Sequence, residues 1–510
     1  MSEAALPLSL PLSLPETAAA GGFKTLFADL LSLRQAIDAG SAALIADFHA
    51  GTALDGQDCQ RLENLAHYLV LRRHDIRPLQ RRLMVEGLSS LGRLEGRVLP
   101  TLDAVLASLA PNAGEISPFA RPGEEAFFAG EQALAATADE LLGAAPAHRR
   151  GRIMVTLPSE AAMDPDFIAE LVRRGMNIAR INCAHDDREA WLAMTRHVKA
   201  AATALSRPVL ILMDIAGPKI RTEKILPEKK GKLQVGDLFR LVAEGAPYVD
   251  DEVRTCASVS LPEIVTRLLI GDRVRYDDGK LEGVVERLAP NEAIIRVIRC
   301  KTGGTKLKPE KGLNLPDTAL GLSPLTAKDE ADLRTVVECA DMLGYSFVSR
   351  PEDIDLLEAA LAKAAPRLNP LGLVAKIEHP DAVHNLPALI ACALHHKRPF
   401  GVMIARGDLA AEIGFERVAE MQEEILWICE AASVPTIWAT QVLEDLVKTG
   451  LPSRGEMTDA AMAARAECVM LNKGPAVADA VALLDHLLSR MDEHIFKKTP
   501  MLRALKSWQD

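Results

Sequence analysis

A chain of 510 residues exceeds what one hydrophobic core organises, so two to four domains are expected. A formal net charge of −11, with 48% hydrophobic and 25% charged residues, argues against nucleic acid as the main partner. No apolar run approaches the ~20 residues of a membrane span, and eight scattered cysteines without close pairing fit free thiols in a reducing, cytoplasmic compartment, neither a disulfide framework nor a zinc site.

Residues 1–22 hold a Leu-Pro-Leu-Ser repeat that imitates a signal sequence but lacks a basic start and is broken by prolines. A disordered tail is expected there. Apolar residues then fall at helical spacing: Phe23, Leu26, Phe27, Leu30 and Ile37, later Leu62, Leu65 and Leu69. Residues 23–110 are therefore expected to form an all-helical domain. Its basic run (Arg72, Arg73, Arg77, Arg81, Arg82) reads first as a solvated helix face, or else as a dock for an acidic partner or a cover for an active site. Residues 111–148, rich in Pro, Gly and Ala, read as a connector with a possible helix near 128–143.

From residue 149 short apolar runs alternate with amphipathic segments. Strands are expected at 152–156, 177–182, 208–214, 345–349, 371–376, 400–404, 435–439 and 468–471. Between the first two, Asp164-Pro165 starts a helix and Gly175 ends it. About eight β-α units predict an α/β fold, a closed (β/α)8 TIM barrel over 149–222 and 313–492. No glycine-rich nucleotide fingerprint follows the first strand, which weakens the alternative of an open doubly wound sheet. The interruption at 223–312 carries short β-like pieces at 233–241, 272–276 and 293–299, with Asp277-Asp278-Gly279 as a turn, and reads as an inserted small β lid domain. Residues 493–510 are left as a tail.

Polar residues gather at the expected carboxyl ends of the barrel strands, where such barrels place their active sites. They are Arg180 and Asn182, Asp214, Lys376 and Glu378, Arg406-Gly407-Asp408, and Thr440 with Gln441. Lys376 and Glu378 stand two positions apart, so they share a face of their strand. Buried charges need partners or a ligand. The plainer reading is a set of structural ion pairs; the functional one is an anion with a divalent metal. Glu378 and Asp408 are hard oxygen donors suited to Mg2+. Arg180 and Lys376 suit phosphate oxygens. The amides of Gly407 and Asp408 could hold a carboxylate, and Thr440 could hydrogen-bond that carboxylate or help relay a proton in catalysis.

The segments Gly-Met-Asn-Ile-Ala-Arg-Ile-Asn (175–182), Gly-Pro-Lys-Ile-Arg-Thr (217–222), Lys-Gly-Leu-Asn-Leu-Pro (311–316), Lys-Ile-Glu (376–378), Ala-Arg-Gly-Asp-Leu (405–409) and Ala-Thr-Gln-Val-Leu-Glu (439–444) occur in the order found in pyruvate kinases. Pro452–Asp459 matches the segment that follows. Over roughly 150–490 the sequence resembles that family. The resemblance implies phosphoryl transfer from phosphoenolpyruvate to ADP, giving pyruvate and ATP. It assigns the phosphoryl group to Arg180 and Lys376, Mg2+ to Glu378 and Asp408, and the substrate carboxylate to Thr440 and the 406–408 turn. Asn182, His185 and Arg221 fall on the nucleotide side, and Asp214 with Asn182 in the monovalent-cation site.

Several positions depart from the family pattern. Ala184 and Ile215 stand where the potassium site carries hydroxyls, and Lys219 where potassium-dependent members are acidic. A lysine ammonium in place of the ion predicts activity without a potassium requirement; a degraded site is the alternative. Ala190 replaces an aromatic residue after His185, with Trp191 next. Asn472-Lys473-Gly474-Pro475 replaces a Ser-Gly-Glu-Thr turn, and Ala410 a glycine. No counterpart of the family's C-terminal effector domain follows the barrel, so activation by fructose bisphosphate is not expected and a family-like tetramer is doubtful. A homo-oligomer of another kind stays possible. Two further readings stand beside the kinase: a sensor of phosphoenolpyruvate or nucleotide with weak turnover, and a different Mg2+-enolate reaction on the same barrel.

Overall fold

The computed structural model describes residues 22–50, 54–227, 231–277, 279–318, 321–364 and 371–501. The expected tail lies outside the described residues except for Gly22, as does Asp278 of the Asp-Asp-Gly turn.

Eight parallel strands close into a barrel. They are β1 (Arg152–Thr156), β2 (Ile178–Asn182), β3 (Leu210–Asp214), β4 (Met342–Tyr345), β5 (Gly372–Ile377), β6 (Phe400–Ala405), β7 (Thr436–Ala439) and β8 (Cys468–Leu471). Each pairs with its neighbours in sequence, and β1 pairs with β8 to complete the ring. The helix after β1 starts and stops as its sequence dictates. Asp164 caps it by accepting from the Phe167 amide, and Gly175 ends it in the left-handed region at φ 118°. The strand expected at 345–349 lies three residues earlier, at Met342–Tyr345.

Side-chain alternation builds the barrel interior in layers. Met154, Ile178, Leu212, Met342, Val374, Met403, Ile437 and Cys468 form one buried apolar cluster. Two residues further along the same strands, on the same face, come Thr156, Arg180, Asp214, Gly344 and Lys376. The charged layer thus follows from the pleat, carried by the strands that carry the core.

The N-terminal helices are α1 (Phe23–His49), α2 (Gly56–Leu71), α3 (Arg77–Val85), α4 (Val98–Ala113) and α5 (Glu124–Leu142). α1 buries Leu26, Phe27, Leu30, Leu33 and Ile37 along one stripe against α2 and α4. α2 docks on the barrel through the carboxyl end of the helix Phe415–Ala431. Arg61 donates to the carbonyls of Ala432 and Ser433 at 3.0 and 3.2 Å, and Asn64 to that of Ala431 at 2.7 Å. Those carbonyls have no partner within their own helix, so the contact completes a helix terminus. Ala431–Ser433 lead directly into the start of β7. The helical domain therefore sits at the amino-terminal end of the barrel, opposite the strand ends that carry the charged residues. Within the basic run, Arg72 lies 4.6 Å over the Trp427 ring on this same barrel helix, and Arg77 pairs with Asp75 at 2.6 Å.

α5, within the stretch read as a connector, delivers Leu141 and Leu142 into the apolar cluster inside the barrel. A Cβ on Gly372 or Gly401 would fall 2.7 or 2.4 Å from a Leu141 methyl carbon. Glycine at these two strand positions leaves the room that the leucine fills, and α5 plugs the amino-terminal mouth.

Between β3 and β4 the insertion forms a seven-stranded sheet with its own apolar core around Phe239, Leu241, Val274, Tyr276 and Ile295. In sheet order its strands are Leu313–Asn314, Arg273–Tyr276, Leu281–Ala289, Glu292–Cys300, Leu238–Val242, Cys256–Val259 and Thr222–Leu226. An antiparallel bridge between Arg221 and Gly312 brings the two ends of the sheet together, curling it into a small barrel. Arg275 donates to the Ala411 carbonyl at 2.6 Å and Asn314 to Glu412 at 2.9 Å, which ties this domain to the helix Arg406–Ile413 at the carboxyl end of β6.

Candidate functional site

Four charged side chains from three strand ends form one continuous network. Arg180, at the end of β2, pairs with Asp214 at the end of β3 through Nη2 and Nε, the latter at 3.0 Å from Oδ2, and donates to the Thr156 hydroxyl at 3.0 Å. Lys376, on β5, reaches Asp214 Oδ1 at 3.4 Å and Glu378 Oε1 at 2.9 Å. Glu378 is also held by the Phe347 amide, 2.8 Å from Oε2. All four are buried or nearly so.

The electrostatics agree with the geometry. Burial raises the Asp214 carboxyl, but Lys376 and Arg180 outweigh it and hold the group below its ordinary range. Burial likewise pulls the Lys376 ammonium down, while Asp214 and Glu378 more than reverse that and keep it charged. Close packing accompanies this: a Cβ on Gly344 would lie 2.9 Å from Asp214 Oδ1.

A second group stands beside the first. Burial raises the Asp408 carboxyl, and Lys219, 2.7 Å from Oδ1, then Lys376 and His379, bring it below its usual range. His379 in turn feels Glu412, Glu378 and Asp408, which raise it against the effect of burial. Glu378 and Asp408 therefore share Lys376 and His379 as charged neighbours. The Gly407 amide donates to Thr440 Oγ1 at 2.8 Å. Thr440 and Gln441 both sit at positive φ, 66° and 56°, an uncommon conformation for residues with a side chain. Arg406 clamps this turn, donating to the Ala439 and Thr440 carbonyls at 3.0 and 2.6 Å and to Asp459 at 2.9 Å.

A third group lies toward the inserted domain. His185 follows β2; burial lowers its pKa first, then the nearby charges of Lys473 and Arg221. These three come from the β2 end, the start of the insertion and the segment after β8. Asn182 accepts from the Ala184 amide at 3.1 Å and stands in register with Asp214 on the adjacent strand. Trp191 is buried and donates to the His185 carbonyl at 3.0 Å, so it braces the turn.

Two members of the site escaped the sequence. Ser346 accepts from Lys376 at 2.6 Å, donates to the Ile215 carbonyl at 2.8 Å and lies 3.3 Å from Asp214 Oδ1. Placing β4 three residues late put Ser346 inside a strand rather than just past its end. His379 offered no signal beyond following Lys-Ile-Glu. The ammonium of Lys219, expected to supply the positive charge of a missing monovalent ion, lies on Asp408.

The family model "Pyruvate kinase, barrel domain" matches residues 148–479. Among curated relatives, pyruvate kinase 2 of Synechocystis sp. is 30% identical over 358 residues, covering 68% of this chain and 58% of its own length. A pyruvate kinase of Methylorubrum extorquens is 32% identical, covering 65% of each chain. Human pyruvate kinase PKLR is 30% identical, covering 72% of this chain and 66% of its own. The chain thus spans about three-fifths to two-thirds of the length of these relatives. Among solved structures, a pyruvate kinase from Cryptosporidium parvum superposes with a TM-score of 0.60 at 26% identity, over 68% of this chain and 70% of that one. With the barrel, the inserted sheet and the charged strand ends in place, the chain belongs to the pyruvate kinase family.

Proposed function

We propose that this protein transfers the phosphoryl group of phosphoenolpyruvate to ADP, giving pyruvate and ATP, as a glycolytic kinase. The observation that carries the reading is the continuous network Arg180–Asp214–Lys376–Glu378 beside Asp408 and Thr440 at one mouth of the barrel. Phosphoryl transfer requires mainly positioning and neutralisation of charge spread over the phosphoryl oxygens. Arg180 would grip those oxygens as a fork and Lys376 would follow them as a point charge. Asp214 holds both cations in place. The carboxylate of the substrate would rest on the 406–408 turn with Thr440 beside it. His185, Arg221 and Asn182 would face the nucleotide.

Glu378 and Asp408 would hold a Mg2+ ion as two hard oxygen donors, with substrate and water completing the shell. The bound ion would supply charge neutralisation between the two substrates. As the phosphoryl leaves the enol oxygen for the terminal ADP oxygen, the enolate takes a proton at its methylene carbon and becomes pyruvate.

Lys219 supports a reading without a potassium requirement. Arg180 and Lys376 already balance Asp214, and the hydroxyl ligands of a monovalent-cation site are absent at Ala184 and Ile215. Asn182 and Asp214 would be its remnant.

The Lys219–Asp408 ion pair favours one competing reading. A cation on an expected metal ligand suits a protein that binds phosphoenolpyruvate or nucleotide and turns it over weakly. ADP-dependent pyruvate formation, followed by coupled oxidation of a nicotinamide cofactor, separates the two. Sustained turnover supports the kinase. Mg2+-dependent binding of phosphoenolpyruvate without turnover supports the sensor.

A further inference from the structure

On the flank of the barrel, three donors of different chemistry converge. The helix Leu386–His395 ends in the turn carrying His396, and Cys392 and His396 stand four residues apart on it. That spacing puts both on one face. The neighbouring helix Pro351–Ala364 presents Asp355 to the same face. The ligand atoms of Asp355, Cys392 and His396 all lie within 4.8 Å of one another, with His396 Nε2 2.7 Å and Cys392 Sγ 3.7 Å from Asp355 Oδ1. Three corners of a tetrahedron around an ion with bonds of about 2.0–2.3 Å lie about 3.3–3.8 Å apart, so an ion would replace the His396–Asp355 hydrogen bond by opening that pair by about half an ångström.

The surroundings suit a cation. The carboxylates of Asp355, Glu352 and Glu358 lie close enough to act on the Cys392 thiol, so the local field is negative. A divalent ion would reverse that and leave the sulfur as thiolate. The three donors border a cavity of about 840 Å3 between α1, α2 and the barrel, with Asp47, His384 and His395 also on its wall. A fourth position is therefore open toward water or a further protein ligand.

From the geometry we propose that Asp355, Cys392 and His396 form a Zn2+ site bridging two barrel helices at the junction with the N-terminal helical domain. Thiolate, imidazole and carboxylate together select zinc among the abundant divalent ions; Mg2+ and Ca2+ take oxygen donors. The donor pattern, a Cys-x3-His pair joined by a carboxylate from another helix, has no cysteine pair by which the sequence would announce it.

The test uses the full chain, titrated with Co2+ as a spectroscopic stand-in and with Zn2+ in competition. The expected result is a thiolate-to-cobalt absorption in the near ultraviolet at one equivalent, abolished by added Zn2+. It should be lost in Cys392→Ser, and the affinity should fall at least tenfold in His396→Ala. Glu378→Gln should leave the signal unchanged, because Glu378 is not among the three donors. Circular dichroism of each variant confirms that it is folded. No thiolate absorption in the wild type, or the same absorption in Cys392→Ser, overturns the proposal.

Discussion

The ammonium of Lys219 lies 2.7 Å from Oδ1 of Asp408, joining the loop that opens the inserted domain to the helix that follows β6. The pair couples two domains at the mouth of the barrel and fixes a positive charge beside the proposed substrate carboxylate. If that charge replaces a monovalent ion, wild-type turnover should change less than about twofold when potassium replaces sodium at constant ionic strength. Lys219→Glu should lose at least about tenfold in kcat/KM, worth roughly 1.4 kcal/mol, and regain part of it with potassium. Steady-state kinetics in the two salts decide it. A severalfold potassium stimulation of the wild type contradicts the reading.

Asp408 and Glu378 should differ from Lys376 in what they control. Asp408→Asn and Glu378→Gln keep the shape of each side chain and remove its charge. The Mg2+ concentration for half-maximal activity should rise by tenfold or more in each, with a smaller effect at saturating Mg2+. Titrating activity against Mg2+ at fixed phosphoenolpyruvate measures the shift.

The plug formed by Leu141 makes a prediction about stability alone. Leu141→Ala should cost about 2–5 kcal/mol through lost burial and the cavity left behind. Gly401→Ala forces a methyl within 2.4 Å of the leucine and 3.1 Å of the Pro435 carbonyl, and should cost about 1–3 kcal/mol. Combined, the two should cost less than their sum, because the truncated leucine makes room for the new methyl. Urea unfolding of the three variants reads the coupling; strict additivity would mean that the two residues do not meet.

Glu430, on the helix Phe415–Ala431, predicts a pH dependence. Burial first, and then Glu95, raise its carboxyl to about 7, with Lys497 and Lys498 opposing and Glu467 adding to the rise. Between the unfolded value near 4.5 and 7, the folded chain holds a proton that the unfolded chain has released. Stability from this group is therefore present at low pH, falls as pH rises through that window, and is lost above it. Glu430→Gln should flatten the decline by on the order of 1 kcal/mol between about pH 5 and pH 8. Unfolding midpoints at the two pH values measure it.

Much of the barrel was legible because its strands are buried on both faces and read as continuous apolar runs bounded by polar residues. Arg180, Asp214, Lys376 and Glu378 could be gathered from strand ends for the same reason. What was hidden depended on contacts distant in sequence. Leu141 lies in an Ala- and Gly-rich stretch, and only the glycines at 372 and 401 show why it enters the barrel. Ser346 was obscured by a strand placed three residues late. In the inserted sheet, Thr222–Leu226 and Leu313–Asn314 are short strands held by neighbours far along the chain, without a strong alternating pattern of their own. The destination of Lys219 depended on the meeting of two domains, which no local spacing encodes.

In the proposed reaction Lys376 stabilises the phosphoryl group in flight between the two substrates. The most direct test is pyruvate formation from phosphoenolpyruvate and ADP with Mg2+, measured for the wild type beside Lys376→Met. Sustained turnover in the wild type, reduced by about a hundredfold or more in a variant that remains folded, is the expected result. Equal turnover in both proteins, or none in a folded wild type saturated with both substrates, would contradict the account.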